Sequence, residues 1–127
     1  MIPDSHLDLL TRPLFAHLAT LRPGGMPQVN PMWFTWDGTH LRFTTTTTRR
    51  KHRNVTAEPR VAMSINDPDE PYRYLEIRGQ VERIDADPGA TFFGELARRY
   101  ALAMDGPPGD AADRVVLVVR PDAVSYQ

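Results

Sequence analysis

PQVNPMWFTWDGTHLRFTTTTTRRKHRN, residues 27–54, is the stretch on which the fold turns. It reads as a strand over 27–36, a tight Asp37-Gly38 turn, a second strand over 40–46, and a threonine run opening into a short basic helix over 49–58. Alternation along the first strand sets Gln28, Asn30, Met32, Phe34 and Trp36 on one face and Val29, Trp33 and Thr35 on the other. Pro31 has no N–H to give to a ladder, so it belongs at a sheet edge, a bulge or a break. Asp-Gly between alternating runs is a hairpin turn. In the second strand Leu41 and Phe43 alternate with Arg42 and Thr44.

The end of the stretch carries the chemistry. Arg49, Arg50, Lys51 and Arg53 place four cations within five residues, with His52 between them. At a helix start the macrodipole favours acids, not bases. A bound anion resolves the conflict: helix-start N–H groups, threonine hydroxyls and cationic heads converge on one phosphate. The plainer alternative is a solvated basic helix face. Thr44 to Thr48 have their own plain reading, as strand residues with Thr48 as a helix cap.

Composition limits the alternatives. The chain has 127 residues, enough for a single domain spanning 1–127, and a net charge of −1. The basic cluster is therefore local, which favours a small anionic ligand over nucleic acid. No cysteine is present, which removes disulfides and thiolate metal sites. His6, His17, His40 and His52 show no metal-ligand spacing, so no metal is expected. No apolar run approaches the ~20 residues of a membrane helix, and residues 1–10 lack a secretory pattern. A soluble cytoplasmic protein with no membrane partner is the expectation.

Outward from this stretch, residues 4–10 read as a short helix with Leu7, Leu9 and Leu10 facing inward. Residues 14–21 read as a strand ended by Arg-Pro-Gly-Gly, and 61–66 and 72–85 as further strands. Asp87-Pro88 reads as the cap and first position of the longest helix, with Phe93, Leu96, Ala97, Tyr100 and Met104 on one stripe. Residues 105–113 read as a loop. The run 114–119 is a buried strand that Pro121 interrupts and 123–126 continues. The order is mainly β with short helices: about six or seven antiparallel strands forming a small barrel with helices at its ends.

Five pieces in this order carry a resemblance: Leu18-Ala19-Thr20 before a glycine turn; Pro27-Gln28-Val29-Asn30 followed by Met32-Trp33-Phe34; Phe43-Thr44-Thr45 leading to Arg49-Arg50-Lys51 and Arg53-Asn54; Glu58-Pro59-Arg60-Val61; and Arg78-Gly79-Gln80-Val81-Glu82. Arg120-Pro121 with Val124 adds a closing strand. The chain resembles the flavin- and deazaflavin-binding split β-barrel proteins related to pyridoxamine 5′-phosphate oxidase. The resemblance implies an FMN-binding-like split β-barrel. It implies that Thr44, Thr45, Arg49, Arg50 and Lys51 hold a cofactor phosphate, and that Asn54 braces the helix start or reaches the ligand. Gln28, Val29, Asn30, Met32 and Trp33 would run along the flavin or deazaflavin ring, largely through backbone groups. It also implies a homodimer with the cofactor at the subunit interface, with Tyr72, Tyr74 or Arg78 reaching in from the partner.

The C-terminal Arg-x-His substrate pattern of true pyridoxamine phosphate oxidases is missing, since the chain ends Ser125-Tyr126-Gln127. The short form and the QVNPMW strand look more like the branch that uses coenzyme F420. There the glutamate tail also needs cations, for which Arg53 and Arg42 are candidates. The expected function is an F420-dependent oxidoreductase that transfers a hydride between the deazaflavin and a small conjugated substrate. Alternatives are an FMN-dependent oxidoreductase of the same fold and a non-catalytic cofactor- or haem-binding protein.

Overall fold

The computed structural model describes residues 1–127 and is built on one seven-stranded sheet. Its strands are β1 (Ala16–Leu21), β2 (Pro27–Met32), β3 (Thr35–Trp36), β4 (Leu41–Thr46), β5 (Arg60–Asn66), β6 (Tyr74–Ala86) and β7 (Arg114–Tyr126). Every neighbouring pair is antiparallel, in the order β2-β1-β5-β6-β7-β4-β3. Helices α1 (Asp8–Thr11), α2 (Arg50–Ala57) and α3 (Thr91–Arg99) complete it, with 3-10 turns at Asp4–His6 and Ala111–Asp113. This is a curled, split β-barrel.

The curl has a local cause. β6 and β7 are long enough to serve both halves of the sheet: β6 pairs with β5 over 74–80, and β7 pairs with β4 over 114–119. Between them the register slips at Arg78/Gly79 and at Val81/Arg83. Such irregularities bend a ribbon and tighten its twist. Gly79 is required at the first slip, because a Cβ there would fall 2.3 Å from the Arg120 carbonyl oxygen. Pro121 sits opposite Gly79, so β7 continues through it as one strand instead of breaking in two.

Alternation fills the interior. Leu18, Phe43, Met63, Ile77 and Leu117 point inward and are almost fully buried, together with Leu9, Leu10 and Phe34. Each such side chain contributes roughly 1.5–3 kcal/mol relative to exposure. Residues Val115–Val119 are buried on both faces of β7. A second cluster of Phe92, Leu96, Val116 and Val118 packs α3 against the outer face.

Three elements differ from the sequence expectation. The N-terminal helix is a 3-10 turn followed by one turn of α-helix, and Leu7 faces outward while Leu9 and Leu10 are buried. The expected strand over 27–36 is split. Phe34 N–H donates to the Tyr100 hydroxyl (3.1 Å), which itself donates to the Leu14 carbonyl (2.6 Å). Trp33 stacks on the Tyr100 ring at 5.0 Å. Held there, Trp33 and Phe34 leave the ladder between β2 and β3. Finally, α3 begins at Thr91, not Pro88. Asp87 still caps it, but from further back: its two carboxylate oxygens accept from Thr91 N–H (3.0 Å) and Phe92 N–H (3.1 Å). The intervening Ala90 adopts the left-handed conformation with φ 55°. The buried stripe accordingly uses Phe92 rather than Phe93, and Met104 lies beyond the helix.

Candidate cofactor site

β2 is an edge strand, one of the settings open to Pro31, and Pro31 pairs opposite His17. Its register with β1 puts Gln28, Asn30 and Met32 on the same face as Thr20, Leu18 and Ala16, the face that turns toward the barrel interior. Val29 points the other way and is largely exposed. Helix α2 crosses this inward face at the open end of the barrel. Its one-turn spacing brings Lys51 over Met32 and Asn54 over Gln28.

Between strand and helix lies an open groove of about 440 Å³, lined by Gln28, Asn30, Pro31, Met32, Arg49, Arg50 and Lys51. Its base is fixed by amides. Asn54 is completely buried, and its Nδ2 donates to Thr20 Oγ1 (3.0 Å) and Gln28 Oε1 (3.3 Å). Gln28 Nε2 in turn donates to Asn30 Oδ1 (3.5 Å). This chain orients both strand amides and leaves the Asn30 N–H donors unengaged by the protein. Thr20 is the member to which sequence reasoning gave no role in the site, although it belongs to the Leu18-Ala19-Thr20 piece that carries the resemblance.

Electrostatics distinguish this groove from the rest of the surface. Arg12, Arg42, Arg60, Arg73, Arg78, Arg83, Arg114 and Arg120 each reach a carboxylate. Arg49, Arg50, Lys51 and Arg53 reach none; outside the groove Arg22 and Arg98 also reach none, and Arg99 donates to the backbone carbonyls of Leu10, Thr11 and Arg12. Lys51 is the chain's sole lysine and is only 8% exposed. Its Nζ contacts Met32 Sδ at 3.0 Å. Burial, and then the nearby Arg49 charge, pushes the ammonium below the usual lysine range. An ammonium out of water with no counter-charge is costly. The helix it belongs to also lacks an acid in its first turn and a side-chain cap. Cations, free helix-start N–H groups and a desolvated charge together make a donor set suited to a phosphate-like anion.

Six of the eleven residues expected in a cofactor site thus line one groove: Gln28, Asn30, Met32, Arg49, Arg50 and Lys51. Asn54 lies beneath it. The others are elsewhere in this chain. Trp33 packs between Tyr100 and Phe93. Thr44 Oγ1 accepts from Arg114 (3.3 Å), and Thr45 Oγ1 is buried without a partner. Arg42, considered for a glutamate tail, is held by Asp37 in the β3–β4 turn. Tyr72 and Tyr74 do not line the groove.

Known proteins share this architecture. An F420 reductase of known structure is 58% identical, with 99% of this chain and 100% of that one covered at a TM-score of 0.96. HutZ, the haem storage protein from Vibrio cholerae, is 18% identical, with 99% and 95% covered at 0.71. General stress protein 26 from Bacillus anthracis is 20% identical, with 95% and 93% covered at 0.69. The last two likenesses are of fold alone. No curated protein sequence matches. Residues 2–127 match the pyridoxamine 5′-phosphate oxidase family, and with the split barrel and its edge-strand groove the chain belongs to that family.

Proposed function

We propose that this protein is an oxidoreductase that uses coenzyme F420, with the phosphate of the cofactor held by Arg49, Arg50 and Lys51. One observation carries the reading: the sole lysine is buried in the groove without a carboxylate, while eight arginines elsewhere are paired. The 58% identity to an F420 reductase supports the deazaflavin over other cofactors of the fold. Charge supports it too. Four unpaired cations on α2 exceed what one phosphate monoester, at about −1.5 to −2, would neutralise. A phosphate followed by glutamate carboxylates fits them better, with Arg53 one turn further along the helix.

When bound, F420 supplies hydride chemistry, and the protein supplies position, charge and exclusion of water. Lys51 and its two arginines neutralise the anion in a poorly hydrated setting, where each charge acts more strongly than in water. Gln28 and Asn30, locked by Asn54, present fixed amides along the strand. Met32 offers an apolar, polarizable surface beside them. The exposed backbone edge of β2 at Val29 supplies further unpaired polar groups.

The substrate in this reading is a small conjugated molecule. The working unit is a cytoplasmic homodimer with the groove at the subunit interface. Tyr72, Tyr74 or Arg78 of the second chain would close the groove. No helix is long and apolar enough to cross a membrane.

The test is Arg50→Ala combined with Lys51→Ala, with cofactor binding followed by fluorescence. Loss of two charge-assisted hydrogen bonds should cost on the order of 3 kcal/mol, or about a hundredfold in affinity. Circular dichroism should be unchanged. Unaltered affinity would put the phosphate elsewhere.

A further inference from the structure

Lys51 combines three properties that bear on its own reactivity. It is a primary amine whose ammonium is disfavoured by burial and by Arg49, so more of it is neutral near physiological pH than for a surface lysine. Its only close side-chain polar neighbour is a thioether, Met32 Sδ at 3.0 Å, which neither takes its proton nor blocks its lone pair as a carboxylate would. It opens on a groove whose two other cations, Arg49 and Arg50, are free to hold an anion next to it. Together these are the elements of an acyl-acceptor site: a nucleophile, an anchor for a phosphate, and positive charge where negative charge develops.

We propose that Lys51 is a site of direct acylation by small acyl phosphates, and that its acylation switches off the anion groove. The phosphate of the reagent sits on Arg49 and Arg50, which places the acyl carbon beside Nζ. The neutral amine attacks that carbon, a C–N bond forms, and the C–O bond to phosphorus breaks. The products are the Lys51 amide and inorganic phosphate, whose departing oxygen takes the proton that the amine nitrogen loses. No oxidant or other co-reactant is needed. The amide carries no charge, so the groove loses its one buried cation. The inference rests on the anion groove of the preceding reading but not on the identity of the cofactor.

The experiment treats the full chain, without cofactor, with acetyl phosphate and maps adducts by mass spectrometry. Because Lys51 is the sole lysine, the Met1 amine is the only competing primary amine. Expected is acetylation at Lys51, suppressed by inorganic phosphate in the wild type. It should slow by about tenfold or more in Arg49→Ala with Arg50→Ala, the equivalent of one charge-assisted hydrogen bond. Acetylation by an uncharged N-hydroxysuccinimide ester should proceed in both proteins and be indifferent to phosphate, which separates anchoring from mere exposure of the amine. Adducts confined to Met1, or Lys51 labelling that ignores both inorganic phosphate and the arginine changes, would overturn the proposal. If the double variant fails to fold, phosphate competition on the wild type decides alone. Cofactor titration of the untreated protein is independent, so failure of the acylation leaves the cofactor reading standing.

Discussion

Lys51 Nζ lies 3.0 Å from Met32 Sδ and meets no carboxylate, although the chain has more acidic side chains than basic ones. A thioether is a weak acceptor and gives little in return for the lost hydration of an ammonium. In the protein alone this pair is therefore a local destabilisation, which the proposed anion would relieve.

A direct consequence concerns Lys51→Met. Removing an uncompensated buried charge should stabilise the unliganded protein by about 0.5–2 kcal/mol, the usual gain when a functional site is relieved. Added phosphate should raise the melting temperature of the wild type more than that of the variant, which keeps Arg49 and Arg50. Thermal unfolding with and without phosphate checks both. A variant less stable than wild type would mean that the ammonium is already satisfied.

Tyr100 ties three segments together through one oxygen, donating to Leu14 O and accepting from Phe34 N–H. Tyr100→Phe keeps the ring on which Trp33 stacks and leaves these backbone groups without their partner. Expected is a loss of about 1–2 kcal/mol in urea unfolding, with the tryptophan fluorescence spectrum of the folded state preserved. A change below about 0.5 kcal/mol, the range of ordinary surface substitutions, would show that the break between β2 and β3 does not depend on this hydroxyl.

Much of this arrangement was legible in the sequence, and what was not shares one physical origin. Strands were visible because alternation and turn residues are local: Leu41 and Phe43 point inward as their spacing demands, and Asp37-Gly38 makes the turn. Edge placement of β2 was one of the three settings that Pro31 allowed. The break at Trp33 was invisible because its cause, Tyr100, is 66 residues away from Phe34. The start of α3 moved because a carboxylate can cap over a longer turn than the cap pattern assumes. In the site, the cations were readable from charge and the shared face of Gln28, Asn30 and Met32 from period, while the place of these β2 residues in a site came from the family resemblance. The threonines were not: Thr44 serves Arg114, which arrives from β7, and a run of five like residues does not reveal which hydroxyl faces where. The buried chain from Thr20 through Asn54 to Gln28 likewise joins three elements that no local pattern connects.

Acid should weaken the fold through identifiable carboxylates. Asp37 accepts from His40 N–H (2.7 Å) and Thr39 N–H (2.8 Å) and sits beside Arg42, and these hold its carboxyl well below the usual range. Asp8 is lowered chiefly by its hydrogen bond from Arg73, and Asp67 chiefly by the backbone N–H of Asp69. A carboxylate lowered on folding stabilises fully above its unfolded value, about 3.9, and that contribution is lost as pH falls through the folded value. The melting temperature should therefore be flat on this account from neutral pH down to about 4 and fall below it. Asp37→Asn should make the acid limb shallower. An identical limb in the variant would remove Asp37 from the explanation.

The most direct test of the F420 reading is a side-by-side titration of the purified protein with F420 and with FMN, followed by fluorescence or heat. Expected is tight binding of F420 and much weaker binding of FMN, with the difference shrinking as salt is raised, because the surplus cations act through charge. Equal or tighter binding of FMN would contradict the deazaflavin assignment, and failure to bind either would contradict the cofactor groove itself.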